Sequence, residues 1–482
     1  MHGISLPWIT RANGAPYFRD DAGQAWTPVG HNDAMSWPHM RRLFDGSDPA
    51  RVERHLAMLA RSGVTCLRMM MEYAQHREHY LEHPQGVFAP RVVAFWDALL
   101  PMLERHGLRL LWTPYDTYWM WVRWRSHPYN ARNGGSVGER GALLTCPAAR
   151  AAIKQRLSFA VERWGGSGVI FAWDLWNEIH PAHAGESADG FMEFIADLSA
   201  HVRAAELRHH GRAHLQTVSL FGPELVWRAH MPLREPIFRH PDLDFATIHI
   251  YEGVSIDAPR NTVDGAAAMG RIVEECMAEI GDTRPFLDSE HGPIHSYKDK
   301  RRTLPAAFDD EYFRHMQWAH LAAGGAGGGM RWPNRSPHVL TRGMHQAQQG
   351  LAGFLPLIDW PRFARASAGQ RLRLTRPGRR GPLEVGKRRV IRFASASPDQ
   401  AVAYLLRRDR LLPDGRVDAD APPLDVTLEL PGLLPGRYAV TVWDTLAGRA
   451  VDVVRVSVQD GALTLRLPLV TDMALAVVRE RG

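Results

Sequence analysis

The chain has 482 residues, 45% of them hydrophobic and 23% charged, with a formal net charge of +6. That length exceeds one ordinary core and suits a barrel of about 250 to 350 residues plus a smaller domain, while the composition argues against a fibre or a disordered chain. Arginine supplies nearly all the positive charge, since the lysines are only Lys154, Lys298, Lys300 and Lys387, and no basic stripe interleaved with aromatics marks nucleic acid as a partner.

The turn "DDAG" leads into a first expected strand, "AWTPVGHND" (25–33). A helix over 48–62 follows, with Leu56, Met58 and Leu59 among its apolar positions, and Gly63 ends it. "VTCLRMMM" (64–71) is the second strand, a helix spans 90–106 up to Gly107, and "LRLLWTP" (108–114) is the third strand. A helix over 147–165 precedes the fourth strand, "VIFAWDLWNEI" (169–179). The alternation continues with a helix over 189–210, the strand "HLQTVSLFG" (214–222), the strand "DFATIHIYEG" (244–253) and a helix over 262–280. It closes with "PFLDSEHG" (285–292), a helix over 309–322, "GGGMRWP" (327–333) and a helix over 341–358. Continuous apolar strands with helical crossovers predict a parallel sheet covered on both faces, and eight such units close into a (β/α)8 barrel.

Beyond residue 365 the texture changes to short alternating runs separated by Gly, Pro and Asp, from "RVIRFASA" to "MALAVVRE". This spacing predicts a small antiparallel β-sandwich. The expected division is a barrel over 1–365 and a sandwich over 366–482, with the Arg/Gly/Pro-rich 366–386 stretch as linker.

Function in such a barrel sits at the carboxyl ends of the strands. Those ends carry His31, Asn32 and Asp33, then Arg68, Tyr115 and Asp116, Asn177 and Glu178, His249 and Tyr251, Glu290 and His291, and Trp332. Burial alone predicts Val, Ile and Leu there. Two carboxylates, Glu178 and Glu290, fall on the same face from the fourth and seventh strands. A carboxyl pair is the minimum machinery for cleaving a glycosidic bond. The aromatic run after the third strand adds Trp119, Trp121 and Trp124 as rings able to stack on sugars. His31, Asn32, Asp116 and Trp119 join the candidate substrate contacts.

"WNE" closing the fourth strand and a Glu closing the seventh resemble clan A retaining glycoside hydrolases. "HIY" on the sixth strand, Arg68 on the second and Trp332 on the eighth are similar to family 5 within that clan, over about residues 15–360. The resemblance implies roles for particular residues. Glu178 would be the acid/base, Glu290 the nucleophile, and Asn177 the partner of the sugar's 2-hydroxyl. Tyr251 and Arg68 would steady the ionised nucleophile, His249 would hold the site around the acid/base, and Trp332 would floor the −1 subsite. The third strand departs from the cellulase-like pattern, which commonly has a His there. "WTPYDTYWMWVRWRSHPYNARNGG" (112–135) looks closer to the mannanase-like branch. The implied activity is retaining hydrolysis of a β-linked mannan- or glucan-like saccharide with no metal or organic cofactor. The alternatives are a transglycosylase on the same site and a non-catalytic carbohydrate-binding barrel. "VTVWDTLAGR" (440–449) resembles the small β domains appended to such barrels, with packing as their expected role.

Other features have plainer readings. Cys66, Cys146 and Cys276 are too far apart for a disulfide framework or a zinc spacing. "MHGISLPWIT" lacks the regions of a signal peptide and no apolar run reaches about 18 residues, so no membrane partner is expected and the chain reads as cytoplasmic as given, or secreted if a leader was removed. "GGAGGG" (324–329) lacks the Lys and Ser/Thr of a phosphate loop and is expected to serve close packing. His209 and His210 are read as a helix terminus. Asp174, inside the apolar fourth strand, is expected to be a structural acid held by an ion pair. The oligomeric state is left open.

Overall fold

The computed structural model describes residues 5–281, 283–294, 303–364, 366–367, 372–379 and 381–480. Eight parallel strands form the centre: Gly30–Asp33, Cys66–Met70, Arg109–Thr113, Ile170–Asp174, Leu215–Thr217, Ala246–Ile250, Phe286–His291 and Met330–Arg331. Numbered one to eight in that sequence, they pair in the order 5-4-3-2-1-8-7-6. The ring closes between the fifth and sixth through a bridge from Phe221 to His249, with the His249 N–H donating to the Leu220 carbonyl (2.8 Å) and the Gly222 N–H to the His249 carbonyl (2.9 Å). Every residue of strands two, three, four, six and seven is buried. That is the burial a two-sided apolar run requires.

The helices lie outside this ring. Pro49–Arg61 begins with Pro49 in the first turn and the Asp48 carboxylate accepting from the Arg51 N–H, which satisfies a donor the helix cannot. Pro90–Arg105, Pro147–Trp164, Phe191–His210, Asp264–Ile280, Ala306–Ala323 and Arg342–Phe354 follow at the expected places. His210 does end its helix, and its ring bonds the Val161 carbonyl (2.8 Å). The "GGAGGG" glycines serve packing: Gly327 has φ = 85°, and a side chain there would begin 2.1 Å from the Pro28 carbonyl oxygen. Among the described residues no helix is long and apolar enough to cross a membrane.

Three details differ from expectation. The 25–33 run is broken. Ala25–Trp26 belongs to a small antiparallel sheet with Ile9–Arg11 and Phe18–Asp20, and the barrel strand starts only at Gly30, past Pro28, which has no N–H for a ladder. The fourth strand stops at Asp174, so Asn177 and Glu178 lie beyond it. The room between the fifth and sixth strands holds two short helices, Glu224–Trp227 and Arg234–Phe238. The 366–386 stretch carries the short strands Ala366–Ser367, Arg373–Arg376 and Leu383–Glu384; residue 365 lies outside the described residues.

The seven alternating runs after 386 are all strands, in a six-stranded and a four-stranded antiparallel sheet with their own apolar core. The larger sheet packs on the barrel helix Ala306–Ala323. Ser395 Oγ donates to the Ala322 carbonyl (2.8 Å), Trp318 stacks on Tyr404, and buried Arg314 pairs with Asp472 (2.6 Å). The structure is thus a (β/α)8 barrel with a C-terminal β-sandwich seated on one of its helices.

Candidate active site

Arg68 is the hub. It sits on the second strand with its guanidinium fully buried, and a charge there must be matched by partners. One terminal nitrogen donates to Asp174 (2.9 Å) and to the Asn177 side-chain oxygen, and the other to Glu290 (3.0 Å) and Asn32 Oδ1 (3.0 Å). Asp174 is therefore the ion-paired acid expected from its buried position. It also accepts from the Ser219 N–H (3.0 Å), Ser219 Oγ (3.0 Å) and Thr113 Oγ1 (3.2 Å).

Two carboxylates stand above this hub. Glu178 has φ = 50°, a left-handed conformation that few residues with a Cβ adopt. Ser219 holds it there: its Oγ accepts from the Glu178 N–H (3.1 Å) and its carbonyl from the Ile179 N–H (3.0 Å). This kink turns Glu178 off the strand line towards His249, whose Nδ1 lies 2.7 Å from Glu178 Oε1. Glu290, at the end of the seventh strand, accepts from Arg68 on one oxygen and from the Tyr251 hydroxyl (2.7 Å) on the other. His249 Nδ1 is 3.7 Å from Glu290 as well, so one ring lies between both acids.

Burial dominates the electrostatics and pushes both carboxyls up. Glu178 is raised to about 7 by desolvation; Arg68 opposes this, and Asp174 and Glu224 add to it. Glu290 is raised by desolvation and by Glu178, while His249, Arg68 and the Tyr251 hydroxyl pull it back. The partnering is unequal. Among the described residues Glu290 receives a guanidinium and a phenol, whereas the Glu178 carboxyl meets an imidazole, itself kept neutral by burial at about 4. Glu290 is the acid equipped to ionise first and Glu178 the one equipped to keep a proton.

The donor atoms of Glu178, His249 and Glu290 lie within 4.8 Å of one another, close enough in principle to hold a cation. A cation there would face the Arg68 guanidinium 3.0 Å from Glu290. Both Glu290 oxygens already accept bonds. The donor set suits proton and sugar chemistry better than a metal.

The remaining expected residues divide. Asn177 is brought in, with its amide donating to Asp116 (2.7 Å). Asp116 is buried, raised to about 7 by desolvation, and spends its oxygens capping the short helix Thr117–Val122 and holding Asn177. Its oxygens thus position other groups. Asn32 likewise braces Arg68 and donates to the Ser289 carbonyl (3.0 Å). His31 does not join the site. Successive strand residues point to opposite faces. With Asn32 turned inward, His31 packs outward against Gln348 (3.3 Å) and His345 of the last barrel helix. Trp332 and Trp119 each lie within reach of Tyr73 (ring centroids 6.2 and 5.6 Å). Trp121 carries Arg140 over its face (4.0 Å), and Trp124 stacks on His127.

Trp37, Tyr73, Ser219, His180 and Glu224 belong to the surroundings and were not anticipated. Trp37 and Tyr73 follow the first and second strands by a few residues, a position that could have flagged them. Ser219 and Glu224 follow a three-residue strand whose end is indistinct in the sequence.

Fold and site together define a class: a (β/α)8 barrel with an appended β-sandwich and two facing carboxylates at the carboxyl end of its strands. Solved structures with which the chain shares this fold include glycoside hydrolases. One described as a glycoside hydrolase is 12% identical with a TM-score of 0.60, covering 98% of both chains. A glycoside hydrolase family 5 structure from Bacteroides vulgatus ATCC 8482 is 11% identical with a TM-score of 0.61, covering 98% of this chain and 95% of its own. A family 5 mannosidase from Rhizomucor miehei is 16% identical with a TM-score of 0.55, covering 73% of this chain and 99% of its own. No protein-family model and no curated protein sequence matches the chain.

Proposed function

We propose that the protein is a retaining β-glycoside hydrolase. The observation that carries this reading is the pair Glu178 and Glu290, whose nearest donor atoms fall within 4.8 Å of each other. Oxygens this close favour the retaining arrangement, with carboxyls about 5 Å apart, over the roughly 6.5 to 9.5 Å that an inverting enzyme keeps to admit a water. Glu290, held by Arg68 and Tyr251, attacks the anomeric carbon. Glu178, its proton stabilised by burial, gives that proton to the departing oxygen. With the first product gone, Glu178 takes a proton from water, and the resulting attack frees the sugar with its configuration kept. Arg68, Asn32 and Asp174 hold this arrangement, Asn177 offers its amide to the 2-hydroxyl, and Trp332 supplies an apolar face for the ring. Residues 1–365 act as the catalytic unit and the sandwich over 366–482 as a brace on helix Ala306–Ala323.

A β-mannoside is the first substrate to test. The stretch at and after the third strand carries Asp116 and an aromatic run where cellulase-like barrels commonly carry a His, and a mannosidase is among the structures that share the fold. Aryl β-mannosides and β-glucosides are incubated with the protein and the first-formed anomer is followed by NMR. The expected product is the β anomer. Glu290→Ala abolishes turnover, and Glu178→Ala lowers it by about 10²- to 10⁴-fold on poor leaving groups. An α product, or near-wild-type rates in either variant, overturns the mechanism. Added sugar acceptor separates hydrolysis from transglycosylation by the products formed.

A further inference from the structure

The two ends of the mouth are built differently. Because Glu178 protonates the bond oxygen, the leaving group departs on its side, over the loops that follow the fourth and fifth strands. The sugar being transferred lies on the other side, towards Trp332 and the loops after strands one, two and three. On that side four rings interlock. Trp37 and Tyr73 are each 3% exposed, and Trp332 and Trp119 are half-buried. Trp37 meets Trp332 edge-on at 4.9 Å and Tyr73 at 5.8 Å, and Tyr73 meets Trp119 at 5.6 Å. His338 stacks flat on Trp37 at 4.7 Å and backs the wall.

The opposite side carries exposed rings. Trp227 is 67% exposed and Trp121 40%. Trp121 meets His180 edge-on at 5.3 Å, and His180 Nε2 lies 3.4 Å from Glu224, which Arg228 holds at 2.7 Å. The Trp227 ring is 5.9 Å from Phe221, which is 5.4 Å from Tyr251, so this platform runs back to the nucleophile's own partner. Large exposed aromatics beside polar groups are the usual makings of a saccharide platform. Between the two ends the Glu178 and Glu290 side chains are only 17% and 11% exposed. A polymer threading the mouth would need room in both directions, and among the described residues the buried rings stand on one side and the exposed rings on the other.

We infer that the site is an exo-acting pocket: it takes one terminal β-linked sugar, closed behind by Trp37, Tyr73, Trp119 and Trp332, while the remaining saccharide lies over Trp121 and Trp227. This rests on the reading of Glu178 and Glu290 as the catalytic pair.

The aryl glycoside screen first identifies the sugar cleaved. Oligosaccharides of that sugar, two to six units long and tagged at the reducing end, are then given to the wild-type protein. Early time points are expected to hold only untagged monosaccharide and tagged products one unit shorter. Tagged products two or more units shorter at the earliest times overturn the pocket and leave the hydrolase reading standing. Silence on every aryl glycoside overturns the hydrolase reading, and the pocket with it. Trp227→Ala, a change at an exposed ring, is expected to lower kcat/KM on the longer oligosaccharides by about two- to tenfold. An unchanged value there removes the leaving-side platform.

Discussion

Tyr251→Phe removes one oxygen atom and leaves the ring that packs on Phe221. The lost bond is a buried, charge-assisted contact of 2.7 Å to Glu290, and bonds to charged groups contribute about 1.5 to 3 kcal/mol. If that stabilisation acts on the attacking carboxylate, kcat/KM falls by about ten- to 150-fold at a pH where Glu290 is ionised. The pH profile carries the sharper signature. Burial already raises the Glu290 carboxyl, and the phenol is one of three groups opposing it. Without the phenol the neutral acid is favoured further, so the acidic limb of kcat/KM moves to higher pH. The alkaline limb, set by Glu178 at about 7, stays in place, and the bell narrows from its acid side. The assay is kcat/KM on an aryl β-glycoside between pH 4 and pH 9, with circular dichroism to confirm that the variant is folded. An acidic limb that stays still, or moves to lower pH, refutes Tyr251 as the partner that keeps Glu290 ionised.

Two further outcomes concern stability. Asp174→Ala leaves the Arg68 guanidinium buried with one fewer counter-charge, which costs about 3 to 5 kcal/mol and shows as a lower thermal melting temperature; an unchanged one contradicts the hub role of this pair. His31, His39, His55 and His345 pack together behind the first strand, and burial lowers all four, to about 4 for His39 and about 2 for His55. The unfolded chain takes up protons on these residues near pH 6.5 while the folded chain does not. The stability they permit is full above that value and is lost as pH falls from about 6.5 towards 4. Melting temperature against pH, compared with a His55→Gln variant, reads this directly; equal acid sensitivity in the two proteins places the loss elsewhere.

Much of this architecture was legible in the order of residues. Apolar runs such as "LRLLWT", the glycines and prolines that punctuate the helices, and the period-2 runs after 386 are local signals, and local propensity and burial agree along them. The acids of the site were legible for a related reason: a carboxylate at the end of a buried run costs too much to persist without a purpose. What sequence could not carry was direction. His31 and Asn32 are neighbours, yet the strand turns one to the helices and the other to Arg68. Asn177 and Glu178 read as the end of a strand; the regular strand stops at Asp174, Asn177 still bridges Asp116, and the Ser219 contacts swing Glu178 to His249. Asp116 stands out in sequence only as a polar residue after a strand, and the fold brings its oxygens to backbone N–H groups and Asn177. Sequence by itself determined which elements form and which residue types gather at their ends, because those follow from period and burial within a few residues. Only the tertiary structure decided which of those side chains meet. Glu178 and Glu290 are 112 positions apart, and the distance between their carboxyls is set by the closing of the barrel rather than by any local preference.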